Sequence, residues 1–251
     1  MSDVFGFQGV RSALRDNPER ARCLYVQKTR RDARINELIG MARDQGIRYQ
    51  VVEPAWIRKR VGDAAHQGVL LVCRDMKVHN LGELKERLAA STSPPLLLVL
   101  DEVSDPRNLG ACLRTANAAG VDAVIVPKRN SAPLSGVTLK TAQGGAEHLY
   151  IVEVTNLARA MRELADDGIW FVGTGDRAKV DYLEVDYSGP TAIVMGNEEK
   201  GLRRLTSEHC DQLVSIPMLG TVESLNVSVA TGVLLYEVYR QRSEPGDMKR
   251  A

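Results

Sequence analysis

No stretch of the sequence runs 18 or more apolar residues, so it offers no membrane-spanning helix. Residues 1–16 lack the apolar core of a signal peptide, and a soluble, cytoplasmic protein with no membrane partner is expected. Cysteine is sparse: Cys23, Cys73, Cys112 and Cys210 stand without any C-x-x-C spacing, which argues against disulfide staples and zinc sites. His66, His79, His148 and His209 are equally dispersed, and no metal is expected. The glycine-rich nucleotide signatures are missing too. No G-x-G-x-x-G follows the first strand pattern and no G-x-x-x-x-G-K-[ST] occurs, which leaves a nucleotide-dependent oxidoreductase without support.

What is present describes a globular chain. Hydrophobic residues make up 44% and charged residues 26% of 251 positions, enough for one large domain or two smaller ones. The net charge is only +1, yet residues 1–75 hold 14 Lys/Arg against 9 Asp/Glu. A basic front module on a slightly acidic body suits contact with a polyanion, although solvated surface charge would look the same.

Along the chain, residues 1–75 read as a compact α/β unit, with strands over 22–26, 47–52 and 68–73. Ile35, Leu38, Ile39 and Ala42 recur at helical spacing. Lys28, Arg30, Arg31 and Arg34 cluster after the first of these strands, where a loop on a rigid scaffold can bind. Residues 76–95 are polar, end in Ser93-Pro94-Pro95, and read as a linker. Over 96–243, short apolar runs at 96–100, 123–126, 150–154, 170–173, 191–195 and 212–216 alternate with helical patterns. That alternation predicts a parallel sheet covered on both faces, with ligands beyond the strand carboxyl ends. Residues 244–251 form a polar tail, expected to be flexible.

Three polar segments stand just past strand carboxyl ends. The first runs from Asp101 through Asp105-Pro106 and Asn108 to Arg114, a credible helix start followed by an arginine that either pairs with an acid or reaches an anion. The second is Met195-Gly196-Asn197-Glu198-Glu199-Lys200-Gly201-Leu202, whose acids also suit a helix dipole. The third runs from Ile216-Pro217-Met218 to Ser224-Leu225-Asn226-Val227-Ser228. Its hydroxyls and amide either cap the following helix or grip a polar ligand.

In order and separation, these three segments resemble the three motifs of the SpoU/TrmH-type RNA ribose 2′-O-methyltransferases. The resemblance extends over nearly the whole chain. One departure is Gln8, where the family usually carries a histidine. The resemblance implies an α/β fold: a small ribosomal-protein-like RNA-binding domain at the front, then a parallel-sheet domain tied in a deep trefoil knot. It implies S-adenosylmethionine as cofactor, held by Gly196, Ile216, Met218 and Leu225. It implies Asn108, Arg114, Glu198, Ser224 and Asn226 as the catalytic set. Asn108 and Asn226 would orient the ribose and Arg114, Ser224 would bond substrate or cofactor, and Glu198 would fix Arg114 or the neighbouring loop.

It also implies a homodimer through the knotted domain. The expected substrate is a guanosine 2′-hydroxyl of 23S ribosomal RNA, free or in an assembling large subunit. Dependence on a 2′-hydroxyl excludes DNA. The alternatives are the same chemistry on tRNA or in ribosome-directed antibiotic resistance, and a catalytically silent ribosome-assembly factor.

Overall fold

The computed structural model describes residues 2–16, 18–28, 33–62, 65–74, 76–175 and 178–243. The expected tail, and Arg30 and Arg31 of the basic cluster, lie outside these residues. In chain order the elements are β1 (Ser2–Phe5), α1 (Phe7–Asp16), β2 (Ala21–Gln27), α2 (Ala33–Asp44), β3 (Arg48–Val52), α3 (Pro54–Val61), β4 (Val69–Cys73) and α4 (Leu81–Ala89). They continue with β5 (Leu96–Leu100), α5 (Pro106–Ala118), β6 (Ala123–Pro127), α6 (Gly136–Ala142), β7 (Ile151–Val154), α7 (Leu157–Asp166) and β8 (Trp170–Thr174). The last are β9 (Val180–Asp181), β10 (Thr191–Met195), α8 (Arg204–Glu208), β11 (Gln212–Ser215) and α9 (Val227–Arg242).

The chain divides into two compact units. The first comprises residues 1–77 and 134–147, the second 78–133 and 148–251. In the first, four strands take the order β1-β4-β2-β3, with β2 and β3 parallel and the other pairings antiparallel. One sheet face packs Leu24, Val26, Val69 and Leu71 against Val10, Leu14, Ile35, Leu38 and Ala42 of α1 and α2. Helix α6 joins this unit: a Cβ built on Gly136 would lie 2.7 Å from the Asp3 carbonyl oxygen, so only glycine admits the approach. Strand β1 escapes sequence pattern because four edge residues carry too short an alternation to register.

The second unit is a seven-stranded sheet in the order β7-β6-β5-β10-β8-β11-β9, parallel throughout. Four of its strands carry five-residue or four-residue apolar runs because both faces are covered. Leu97, Val99, Ile125, Val152, Phe171 and Val194 meet α4 and α7 through Leu84, Leu157, Met161 and Leu164. Helices α5 and α9 pack on each other, and α9 also packs on β10.

Several local boundaries differ from expectation for identifiable reasons. The segment read as a linker contains α4, which Asn80 and Glu83 close with a reciprocal capping box and Leu84 anchors in the core. Helix α8 starts only at Arg204, because Gly201 takes φ +65° and Arg203 is extended. Helix α9 starts at Val227, where the Asn226 side chain accepts from the Ser228 N–H.

Phe171 is fully buried at the centre of this sheet. Phe171→Ala should therefore cost about 3–5 kcal/mol through lost transfer energy and a residual cavity. Urea denaturation followed by circular dichroism checks this; a cost below about 1 kcal/mol would contradict the assigned packing.

Candidate active site

The strands of a parallel sheet all end on one edge, and that edge gathers the three polar segments. Strands β5 and β10 are neighbours with Leu100 opposite Met195, so Asp101 and Gly196 leave the sheet side by side. The Asp101 N–H donates to the Met195 carbonyl at 2.7 Å. Ile216 follows β11 two strands away in the same sheet.

Asp101 is wholly buried, which its charge tolerates only with partners. Arg203 supplies them: its backbone N–H donates to Oδ2 at 3.0 Å and its Nε to Oδ1 at 2.7 Å. The same guanidinium reaches Glu102 Oε1 at 2.9 Å, and Asn130 donates to that oxygen at 3.0 Å. Asn197 secures the other side of the loop. Its Nδ2 donates to the Glu102 carbonyl at 2.9 Å, while its Oδ1 accepts the Glu199 and Lys200 N–H groups. Gly196 is buried where the loop doubles back: a Cβ there would lie 2.3 Å from the Gly201 carbonyl carbon and 2.4 Å from the Leu202 nitrogen. The tight approach at Gly196 is thus made by the chain's own backbone.

Beside this scaffold, side chains from three distant segments form one directed chain. Ser228 donates through its N–H and Oγ to Asn226 Oδ1, at 2.9 and 2.6 Å. Asn226 Nδ2 donates to Asn108 Oδ1 at 3.0 Å, and Asn108 Nδ2 donates to Glu198 Oε1 at 2.9 Å. Each amide has its oxygen accepting and its nitrogen donating, so the terminal carboxylate fixes the orientation of both. Asn108 opens α5, which Asp105 caps by accepting the Arg107 N–H at 2.7 Å behind Pro106. Asn226 in turn opens α9. Beneath them Cys112 and Thr231 meet at 3.5 Å across the α5–α9 contact. Burial pushes the Cys112 thiol up to about 11, so it is inert near neutral pH.

Of the expected catalytic set, the structure brings Asn108, Glu198 and Asn226 into contact. Glu198 receives Asn108 rather than Arg114. Arg114 is exposed on α5, and among the described residues no carboxylate pairs with it. Ser224 is exposed and, among the described residues, makes no hydrogen bond. Ile216 and Met218 are half-buried and Leu225 is exposed. Among the described residues, the backbone of 217–225 forms no backbone–backbone hydrogen bond, leaving N–H and C=O groups available beside these apolar side chains. That combination suits a purine nucleoside, which needs flat apolar contact and backbone partners for its ring edge. Among the described residues, no group of three or more His, Cys, Asp or Glu could hold a metal ion.

Sequence reasoning did not select Asp101, Asn197 or Arg203. The available signal was an aspartate directly after five apolar strand residues, a position that burial makes costly without a cation.

Residues 95–236 match the SpoU rRNA Methylase family, and residues 4–77 match the RNA 2′-O ribose methyltransferase substrate binding family. The chain is 47% identical to the 23S rRNA (guanosine-2′-O-)-methyltransferase RlmB of Pseudomonas syringae, over 97% of each chain. It is 45% identical to RlmB of Escherichia coli, over 96% of this chain and 98% of the other. Among solved structures it resembles the SpoU methyltransferase AviRb of Streptomyces viridochromogenes in complex with AdoMet. The TM-score is 0.75, with 25% identity over 96% of this chain and 90% of that one.

Breaking the Asp101–Arg203 pair from its two sides should give unequal losses. Arg203→Met strands the buried carboxylate and should cost roughly 3 kcal/mol, the low end for a broken buried pair because Arg203 itself is 44% exposed. Asp101→Asn keeps shape and loses charge assistance, for about 1–2 kcal/mol. Thermal denaturation of both variants reads the order, and a larger loss in Asp101→Asn would refute it.

Proposed function

The chain belongs to the SpoU rRNA methylase family, and from that premise we propose that it transfers the methyl group of S-adenosylmethionine to the ribose 2′-oxygen of a guanosine in 23S ribosomal RNA. The structural observation that carries this reading is the Asn226–Asn108–Glu198 chain, assembled from three segments on the sheet edge, with Arg114 exposed further along the helix that carries Asn108. Similarity to guanosine-2′-O-methyltransferases along essentially the full chain supports the substrate.

S-adenosylmethionine, when bound, supplies a sulfonium methyl that is already electrophilic, so the protein's task is mainly alignment. Ile216, Met218 and Leu225 would hold its apolar surfaces and the backbone of 217–225 its polar edge, with Gly196 keeping the adjoining loop closed. Asn108 and Asn226 would present fixed amide groups to the ribose, held in orientation by Glu198. Arg114 would donate to the 2′-oxygen and stabilise negative charge there. A guanidinium stays protonated far above neutral pH, so we assign it charge stabilisation rather than proton removal. Ser224 would hydrogen-bond substrate or cofactor.

The remaining parts of the reading have their own support. Residues 1–75 form the recognition domain, of ribosomal-protein-like RNA-binding type, and residues 96–243 the methyltransferase domain. We take the latter as a deep trefoil knot, supported by the insertion of β10 between β5 and β8 and by the return of the chain after β11 to meet α5. A homodimer through this domain is supported by Val229, Tyr236 and Tyr239, exposed on α9 at 52%, 51% and 37%. In it Arg114 would serve the neighbouring subunit's cofactor pocket. The ribosomal RNA substrate supports a cytoplasmic location.

The test is transfer of labelled methyl to 23S RNA, 16S RNA and tRNA lacking modification, with mapping of the product. One 2′-O-methylguanosine in 23S RNA is expected; label in tRNA alone would overturn the substrate, and no label the enzyme. Arg114→Ala should lower turnover roughly 10²–10³-fold, as loss of a charge-stabilising donor does. Calorimetry should show cofactor binding retained, and unchanged turnover would remove Arg114 from the site.

A further inference from the structure

The first unit carries a concentration of chemistry of its own. Tyr25 on β2 stacks on Trp56 of α3 with ring centroids 4.4 Å apart and planes 24° from parallel. The Arg60 guanidinium lies 5.7 Å from the Trp56 ring and is held there by Asp3, through Nε at 2.7 Å and Nη2 at 3.1 Å. Trp56 nevertheless remains 38% exposed. The register of β2 on β3 pairs Cys23 with Arg48 and Tyr25 with Gln50, so side-chain alternation puts exposed Arg48 and Gln50 on the Tyr25 face. Strand β3 is the sheet's edge, and nothing in the sheet lies beyond it. Arg58 and Lys59 are exposed on α3, and of the two Lys59, three residues on from Trp56, shares its side of the helix.

The charges here do not cancel. Asp3 is taken by Arg60 and Glu53 by Lys28 at 2.9 Å. Arg48, Arg58 and Lys59 have no carboxylate partner among the described residues. A rigid aromatic pair next to an edge strand, its indole partly exposed and accompanied by two unneutralised cations, Arg48 and Lys59, matches the two needs of a single-stranded nucleic acid. Those are a π-surface for an unstacked base and cations for the phosphates on either side. We propose that the Trp56 face of α3 and β3 binds a single-stranded segment of the RNA substrate, one base against the exposed indole and its phosphates on Arg48 and Lys59. This rests on the reading of the chain as an RNA methyltransferase and adds the place and manner of grip.

The sequence contains two tryptophans, Trp56 and Trp170. In full-length protein carrying Trp170→Phe, Trp56 is the only indole, and its emission should be quenched as a short oligoadenylate RNA is added. Trp56→Ala should weaken that RNA's binding about tenfold, within the range for loss of one base stack, while Trp56→Phe keeps a ring on Tyr25 and most of the affinity. Arg48→Glu with Lys59→Glu touches no core residue. It should flatten the dependence of log affinity on log salt by about 0.7 per lost phosphate contact. On 23S RNA the same variants should raise KM about tenfold and leave kcat unchanged.

Binding seen by anisotropy of labelled RNA with unquenched Trp56, or variants with wild-type KM, would overturn the proposal while methyl transfer by the unaltered protein still stood. Absence of methyl transfer in the unaltered protein would instead overturn the function on which it rests.

Discussion

The carboxylate of Asp101 sits where water does not reach, and the sheet edge is arranged around neutralising it. Arg203 does so with both its main-chain N–H and its guanidinium. Asp101 directly follows β5 and Arg203 ends the loop after β10, so the pair ties together the chain leaving two adjacent strands. The doubled-back loop is closed from the inside by Gly196, where any side chain would occupy the space of Gly201 and Leu202. Glu198, on the outer turn of that loop, thereby acquires a fixed position from which to hold Asn108. A buried charge, a forbidden Cβ and an exposed polar chain are successive layers of one construction.

The division between legible and illegible features follows the physics of each. Strands of the seven-stranded sheet stand out because coverage on both faces demands unbroken apolar runs such as 96–100 and 192–195. The helix Leu81–Ala89 hides in a polar stretch because Leu84 is its one fully buried residue, with only Leu81 and Leu88 partly buried beside it. Nothing local in helix α6 marks its allegiance to the first unit. That depends on the meeting of Gly136 with the Asp3 carbonyl, a contact between residues far apart in sequence.

The site shows the same split. Asn108, Glu198 and Asn226 were found because the order and spacing of three segments resembled a family. Their mutual hydrogen bonds could not be read from spacing, since they depend on the return of the chain to α5. The partner of Glu198 was expected to be Arg114 or the loop, and it is Asn108. An amide satisfies this exposed carboxylate at lower desolvation cost than an ion pair, and it leaves the guanidinium of Arg114 unclaimed.

That the first unit includes residues 134–147 has a consequence for synthesis. On a ribosome the chain emerges from its amino end, and the sheet β1-β4-β2-β3 is complete in strands once Cys73 has left the tunnel. Its cover is not, because α6 lies more than sixty residues downstream. The nascent first unit must wait, with Asp3 and Phe5 lacking their neighbour, while β5, α5 and β6 of the second unit are made. The two units therefore mature as interleaved partners in time, and neither is finished in the order in which it was begun.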